Sequence, residues 1–333
     1  MNVVVTGAAG FLGSWLADTM VECGHRVVGV DSFIGGYRDN LKSCTCIEGD
    51  VTDLDAMTRA FTGADVVFHC AALAYEGLSV FSPKMIIDNI VGGSVSVMTA
   101  AIRNNVMRLV NCSSMARYGV NLTPYREAMT PAPVDPYGLA KWQAEQQLNL
   151  LGRIHGVQVV HAVPHNIIGP RQKYDDPFRN VVSIMSNRML QGKQPIIYGD
   201  GSQVRCFSHV TDVLPILVQL LDCSGLQHGE VFNVGPDETP VTINRLAVIV
   251  AGILNVKLEA VHVDPRPCEI KMAWCSSDKI RQRFGYCTKT SLEEGVLSIV
   301  NYVKERGPRP FDYHLPLEID GPRLPCTWKE RLI

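Results

Sequence analysis

Tyr137 and Lys141 are the residues whose spacing most clearly promises chemistry. They lie four positions apart in Tyr137-Gly138-Leu139-Ala140-Lys141, so a helix sets them one turn apart on one face. A free tyrosine ionises near a pKa of ~10. A neighbouring ammonium favours the phenolate, which can then work as a general base near neutral pH. Ser113 and Ser114 end the run Arg108–Ser113, which reads as a strand. A hydroxyl there can hydrogen-bond the oxygen that loses its proton. A second constellation is Thr6-Gly7-Ala8-Ala9-Gly10-Phe11-Leu12-Gly13. Gly7 allows a tight turn, Gly10 lets backbone approach a phosphate, and Gly13 lets a helix pack close to a sheet. The helix N-terminus then offers unpaired N–H groups to a dinucleotide pyrophosphate. Asp31 follows Gly7 by 24 positions. Its carboxylate, beside Ser32, can accept from ribose hydroxyls and repels a 2′-phosphate, which favours NAD over NADP. Asp50-Val51 falls where the adenine ring would lie, and the small Ala71-Ala72 lets the backbone pass close to the cofactor.

These residues need a scaffold, and the chain supplies one. Strands are predicted at Val3–Thr6, Arg26–Asp31, Ser43–Glu48, Asp65–Cys70, Arg108–Ser113 and Val157–Val163. Helices are predicted over Gly13–Cys23, Asp53–Phe61, Met85–Asn104 and Tyr137–His155. This alternation implies an α/β fold: a Rossmann-type, doubly wound parallel sheet covered on both faces. It occupies residues 1–169. The rhythm then breaks. Residues 170–306 read as a smaller α/β lobe that would bind substrate, with helices near Val181–Gln191, Val210–Leu221, Ile243–Leu254 and Leu292–Glu305. Some of its segments are expected to return to the first lobe. Residues 307–333 form a Pro- and aromatic-rich tail, expected to wrap the surface or meet another subunit.

Bulk properties exclude other classes. The net charge is −2 with no run of Lys and Arg, so nucleic acid is not an expected partner. No apolar run reaches the ~18–20 residues of a membrane span, and no leader is expected before Val3. The 11 cysteines read as reduced thiols of a cytoplasmic protein. Cys44 and Cys46 lack a second pair at zinc spacing, so no metal is expected.

The ordered motifs resemble the nucleotide-sugar branch of the extended short-chain dehydrogenase/reductases, most closely the UDP-glucose (UDP-galactose) 4-epimerases. Besides the glycine-rich turn, they include His69–Ala72, Asn89, Ser113–Gly119, Pro136–Lys141, His165–Gln172, Gly199–Val213 and Phe232–Gly235. The resemblance implies Tyr137 as base, Lys141 as its electrostatic partner and ribose ligand, and Ser114 rather than Ser113 as the catalytic serine. It implies that Asn89 supports the active-site helix and that His165 lies beside the nicotinamide. Asn166, Asn180 with the adjacent Val181, Arg205 and Arg266 would hold the nucleotide diphosphate, a task suited to the planar guanidinium fork. Relatives that dehydrate or decarboxylate carry acidic residues where this chain has Met115 and Ala116. The implied reaction is therefore NAD-dependent epimerisation at C4 through a 4-keto sugar.

Substrate choice is less defined. Ala273 falls where a tyrosine of the resembling enzymes restricts N-acetyl sugars, which implies room for UDP-N-acetylhexosamines as well as UDP-glucose and UDP-galactose. Arg117 adds a cation near the sugar and points to the alternative of a UDP-glucuronate 4-epimerase. A non-enzymatic NAD(H)-binding sensor or scaffold is the reading from another class. The resemblance also implies a homodimer that pairs the Met85–Asn104 and Tyr137–His155 helices, with Gly92, Gly93 and Ser94 allowing close approach.

Overall fold

The computed structural model describes all 333 residues. Seven parallel strands form one sheet: β1 (Asn2–Thr6), β2 (Arg26–Asp31), β3 (Thr45–Glu48), β4 (Val66–His69), β5 (Arg108–Cys112), β6 (Gln158–Pro164) and β7 (Glu230–Val234). Their order is β3-β2-β1-β4-β5-β6-β7, so the winding direction reverses between β1 and β4. A crevice opens at such a reversal beyond the strand ends. The central strands are buried on both faces and are accordingly rich in Val and other apolar residues.

Helices α1 (Phe11–Glu22), α2 (Leu54–Ala60), α3 (Pro83–Arg103) and α4 (Pro136–His155) connect the strands. Met57, Val97, Met98 and Leu148 from α2, α3 and α4 fill one face. The other face packs Leu16 of α1 against Val213 and Leu217 of a later helix, α6 (Val210–Gln219). Five of the six predicted strands end within one residue of their expected limits at both ends, and the sixth, β3, starts two residues later than expected. The seventh, β7, was visible in the sequence only as the Phe232–Gly235 motif. Its return beside β6, with α6, makes the first lobe discontinuous in sequence.

The second lobe rests on α5 (Val181–Leu190), α7 (Ile243–Leu254) and α8 (Leu292–Arg306), which meet through Met185, Leu246 and Ile299. The tail folds back over this lobe. Trp328, Leu324 and Ile333 pack with Phe81 and the partly buried Phe178.

Helix α3 departs from expectation in two ways. A π-turn at Asp88–Gly92 interrupts it, a feature frequent at functional sites. The helix also runs for 21 residues and holds an 18-residue stretch with a mean hydropathy of 1.5, long and apolar enough to cross a membrane, whereas no span was expected. Here the apolar face serves the core: Ile90, Val97, Met98 and Ala101 are buried against the sheet and neighbouring helices. Gly93 and Ser94 face inward as well. A Cβ on Gly93 would stand 2.7 Å from Val51 Cγ2, and Ser94 Oγ meets His69 Nε2 at 3.0 Å.

Helix α4 is fastened to the end of β5 by a buried polar set. Asp135 caps it by accepting from the Gly138 amide (2.8 Å), and Pro136 occupies its first turn. One and two turns on, the Lys141 ammonium donates to the Cys112 carbonyl (2.9 Å) and Glu145 accepts from the Ser113 hydroxyl. Arg117, just beyond β5, pairs with Glu145 at 3.2 Å, with both side chains almost fully buried. Removing one partner of such a pair strands the other charge in the core. Arg117→Ala should therefore lower unfolding free energy by about 3–5 kcal/mol. Pairing Arg117→Met with Glu145→Met should recover much of that loss, and urea denaturation of the two variants checks both statements.

Candidate functional site

One cavity of about 490 Å³ runs along the sheet's C-terminal edge between the lobes. At one end lies the glycine turn. Gly7 has φ +73, and a Cβ there would come within 2.8 Å of the Ala71 amide nitrogen. A Cβ on Gly13 would stand 2.1 Å from the Gly7 carbonyl oxygen. Gly10, by contrast, meets only the Gly7 carbonyl and otherwise faces open space. It precedes α1 without a side-chain cap, so the amides of Phe11, Leu12 and Gly13 lack intrahelical acceptors. All three residues line the cavity. A cradle that a Cβ would fill, facing an uncapped helix terminus, fits a dinucleotide pyrophosphate.

Asp31 closes this end. Its two oxygens accept from the Ala9 and Phe33 amides at 2.8 and 2.6 Å, which fixes the carboxylate at the rim beside Ser32. Burial pushes its pKa up, and those amide bonds oppose the rise. Val51, Ala71, Ala72 and Asn89 also line the cavity. Asn89 sits in the π-turn of α3, and its side-chain oxygen accepts from the Leu73 amide (2.8 Å). It thus holds the loop after β4 against α3.

Ser114, Tyr137 and Lys141 line the middle. Burial pushes the Tyr137 hydroxyl up to about 12. A hydrogen bond from Ser114 pulls it down, Glu76 and Asp135 push it up, and Arg179 pulls it down. Lys141 donates to the Cys112 carbonyl (2.9 Å), and Ser114 and Arg179 are side chains that ease Tyr137 toward phenolate. The Cys70 and Cys112 thiols, 3.5 Å apart, lie beneath.

The far end belongs to the second lobe. Asn166, Asn180, Val181, Arg205 and Arg266 all line it. Asn166 is held at φ +44 and donates to the Cys206 carbonyl (2.9 Å). Asn180 caps α5 through the Val182 amide (2.9 Å). Arg266 lies 4.6 Å over the Tyr198 ring and 3.1 Å from Glu269.

Four expected residues do not line the cavity. His165 is fully buried beneath Gly235, with Nε2 donating to the Pro236 carbonyl (2.9 Å). Asp50 turns aside to accept from the Thr52 amide and hydroxyl, leaving Gly49 and Val51 at the wall. Ala273 packs behind the wall with Tyr118, Tyr125 and Cys275, so it does not set the space for a sugar substituent. Arg117 points into the core toward Glu145 and carries no charge to the pocket.

Sequence reasoning missed other wall residues. Asp135 had a signal, since an Asp-Pro pair before an apolar helix is a cap pattern. Burial, then Glu76, raises its pKa to about 7. Arg179 and Glu76 had none. Arg179 crosses the cleft, donating to the Gly35 carbonyl (3.2 Å) with its guanidinium 4.4 Å over the Tyr75 ring. Ile333, the last residue, reaches the wall through the fold of the tail.

The chain is similar to known proteins over most of its length. A UDP-glucose 4-epimerase of Mycolicibacterium smegmatis is 31% identical over 317 residues, covering 92% of this chain and 99% of its own. The crystal structure of a UDP-glucose 4-epimerase from Thermotoga maritima with UDP-glucose superposes with a TM-score of 0.84 at 31% identity, covering 92% of this chain and 99% of that one. A UDP-glucuronic acid 4-epimerase from Bacillus cereus, in complex with UDP-glucuronic acid and NAD, gives 0.85 at 25% identity, covering 92% and 100%. The profile of the NAD dependent epimerase/dehydratase family matches residues 3–235, well over half the sequence, and the chain belongs to that family.

Proposed function

We propose that this protein is an NAD-dependent 4-epimerase of a UDP-sugar. One observation carries the reading: a single cavity joins the uncapped α1 terminus and Asp31, the Ser114–Tyr137–Lys141 group, and the Arg205–Arg266 pair. A dinucleotide on the first set and a nucleotide diphosphate on the last bring cofactor and sugar together at Tyr137. Bound NAD supplies a reversible hydride acceptor beside the sugar C4.

The chain's own groups do the rest. Tyr137 takes the proton of the C4 hydroxyl, which Ser114 orients by hydrogen bonding. Lys141, held by the Cys112 carbonyl, stays within reach of the ribose. The 4-keto sugar is retained through its diphosphate on Arg205 and Arg266, with Asn166 and Asn180 beside them. That tether leaves the ring free to turn and present its other face. Tyr137 then returns the proton. UDP-glucose and UDP-galactose are the proposed pair. The uronate alternative loses its sequence argument, because Arg117 is committed to Glu145. The sensor reading does not explain why Ser114, Tyr137 and Lys141 line the same cavity.

We also propose a cytoplasmic homodimer. Eleven free thiols suit a reducing compartment. On α4, Leu139, Leu150 and Ile154 are 41%, 52% and 63% exposed at helical spacing, beside the exposed Ile87 of α3. An apolar stripe on two adjacent helices suits the same stripe of a second copy across a two-fold axis.

Incubation of the purified protein and NAD with either UDP-glucose or UDP-galactose should yield the other sugar, resolved by chromatography. No interconversion from either side overturns the reading. Because the phenolate fraction grows with pH, kcat should rise across the neutral range. Tyr137→Phe should lower it by roughly 10²–10⁴-fold. Light scattering should report a dimer, and Leu150→Glu should shift it toward monomer.

A further inference from the structure

We propose that Glu76 is a specificity determinant, a carboxylate set in the sugar subsite that turns away nucleotide sugars bearing a C6 carboxylate and admits those bearing hydroxyl or ammonium groups. This assignment rests on the nucleotide-sugar reading above and adds the class of sugar.

The placement of Glu76 follows from its neighbours. Tyr75 is fully buried, and its hydroxyl donates to Asp176 at 2.7 Å, which anchors this turn after β4. Glu76, next in the chain, is exposed and lines the cavity. On the other side, a Cβ on Gly77 would stand 3.2 Å from Arg266 Nη1, so the turn abuts the arginine end. The charge of Glu76 is felt in both directions. After burial, it is the leading influence on Asp135, and it also raises the Tyr137 hydroxyl. After burial, it is likewise the first charge that supports the Arg205 guanidinium. A sugar with its diphosphate on Arg205 and Arg266 and its C4 at Tyr137 has to lay its ring between those groups, alongside Glu76.

The nearby cations already have partners within the chain. Arg117 is sealed against Glu145. Arg179 sits 3.6 Å from Asp176 and bonds the Gly35 carbonyl. A uronate would therefore bring a further carboxylate beside those of Glu76 and the buried Asp135, and like charges held together disfavour one another. Sugar hydroxyls or an ammonium can instead donate to the Glu76 carboxylate.

The test compares three probes by titration calorimetry on the NAD-loaded protein and its Glu76→Gln variant: UDP, UDP-glucose and UDP-glucuronate. The native protein should bind UDP-glucuronate at least about tenfold more weakly than UDP-glucose, a difference of roughly 1.4 kcal/mol. Glu76→Gln should close most of that gap and leave UDP within about twofold, and Glu76→Arg should reverse the preference. Equal affinities in the native protein, or an unchanged ratio in Glu76→Gln, overturn the assignment alone. So does an equal shift of all three probes, which would mean that Glu76 acts only on the arginines. Failure of UDP itself to bind overturns the nucleotide-sugar reading and this assignment with it.

Discussion

The site depends on the way α4 is fastened to the end of β5. Tyr137 and Ser114 come from different elements, 23 residues apart in sequence, and neither can hold the other in place. The Lys141–Cys112 carbonyl bond and the Glu145 contacts with Ser113 and Arg117 do so. All of these groups are buried, so each bond is made in a medium of low polarity, and each would be costly to leave unmade. A residue one helical turn from the next can then address successive atoms of the same strand end. The helix is thereby indexed to the sheet, which is what a reaction between a tyrosine and a serine's hydrogen-bond partner needs.

The same fastening explains why Arg117 does not serve the pocket. A buried Glu145 has its pKa raised by desolvation, and Arg117 is the largest influence opposing that rise. The guanidinium is the counter-ion of the scaffold. In the proposed function, substrate charge falls instead to residues of the second lobe and to the turn after β4. The cavity is consequently basic at its diphosphate end and acidic beside Tyr137, where Glu76 and Asp135 stand.

The fold was largely legible because its signals are local. The Gly7–Gly13 turn, the β-branched runs and the Tyr137–Lys141 spacing each report on a few neighbouring residues. What escaped was decided by packing between distant segments. β7 is a short apolar strand whose partner, β6, lies about 70 positions earlier, and nothing in its own sequence announces that pairing. His165 and Asp50 sit next to residues that do line the cavity, so a motif alone cannot tell which side of the backbone each faces. A one-residue change of facing reverses a side chain from pocket to core. Gly93 and Ser94 illustrate the same limit on a helix: small residues permit close approach, but the approach made is to Val51 and His69 within the chain.

Tyr137 shows how such distant segments combine into chemistry. Its own helix supplies position and a rising pKa through burial and Asp135. Ser114, after β5, and Arg179, before α5, lower it, while Glu76, after β4, raises it. Four segments separated by tens of residues therefore set the strength of one base. In the free chain the raising influences prevail, and the hydroxyl stays protonated at neutral pH. A base tuned in this way gains its phenolate character only when positive charge is added beside it, which a buried, lysine-bearing crevice is built to receive. In the proposed function, proton transfer would thereby be confined to the loaded site, where the sugar is tethered.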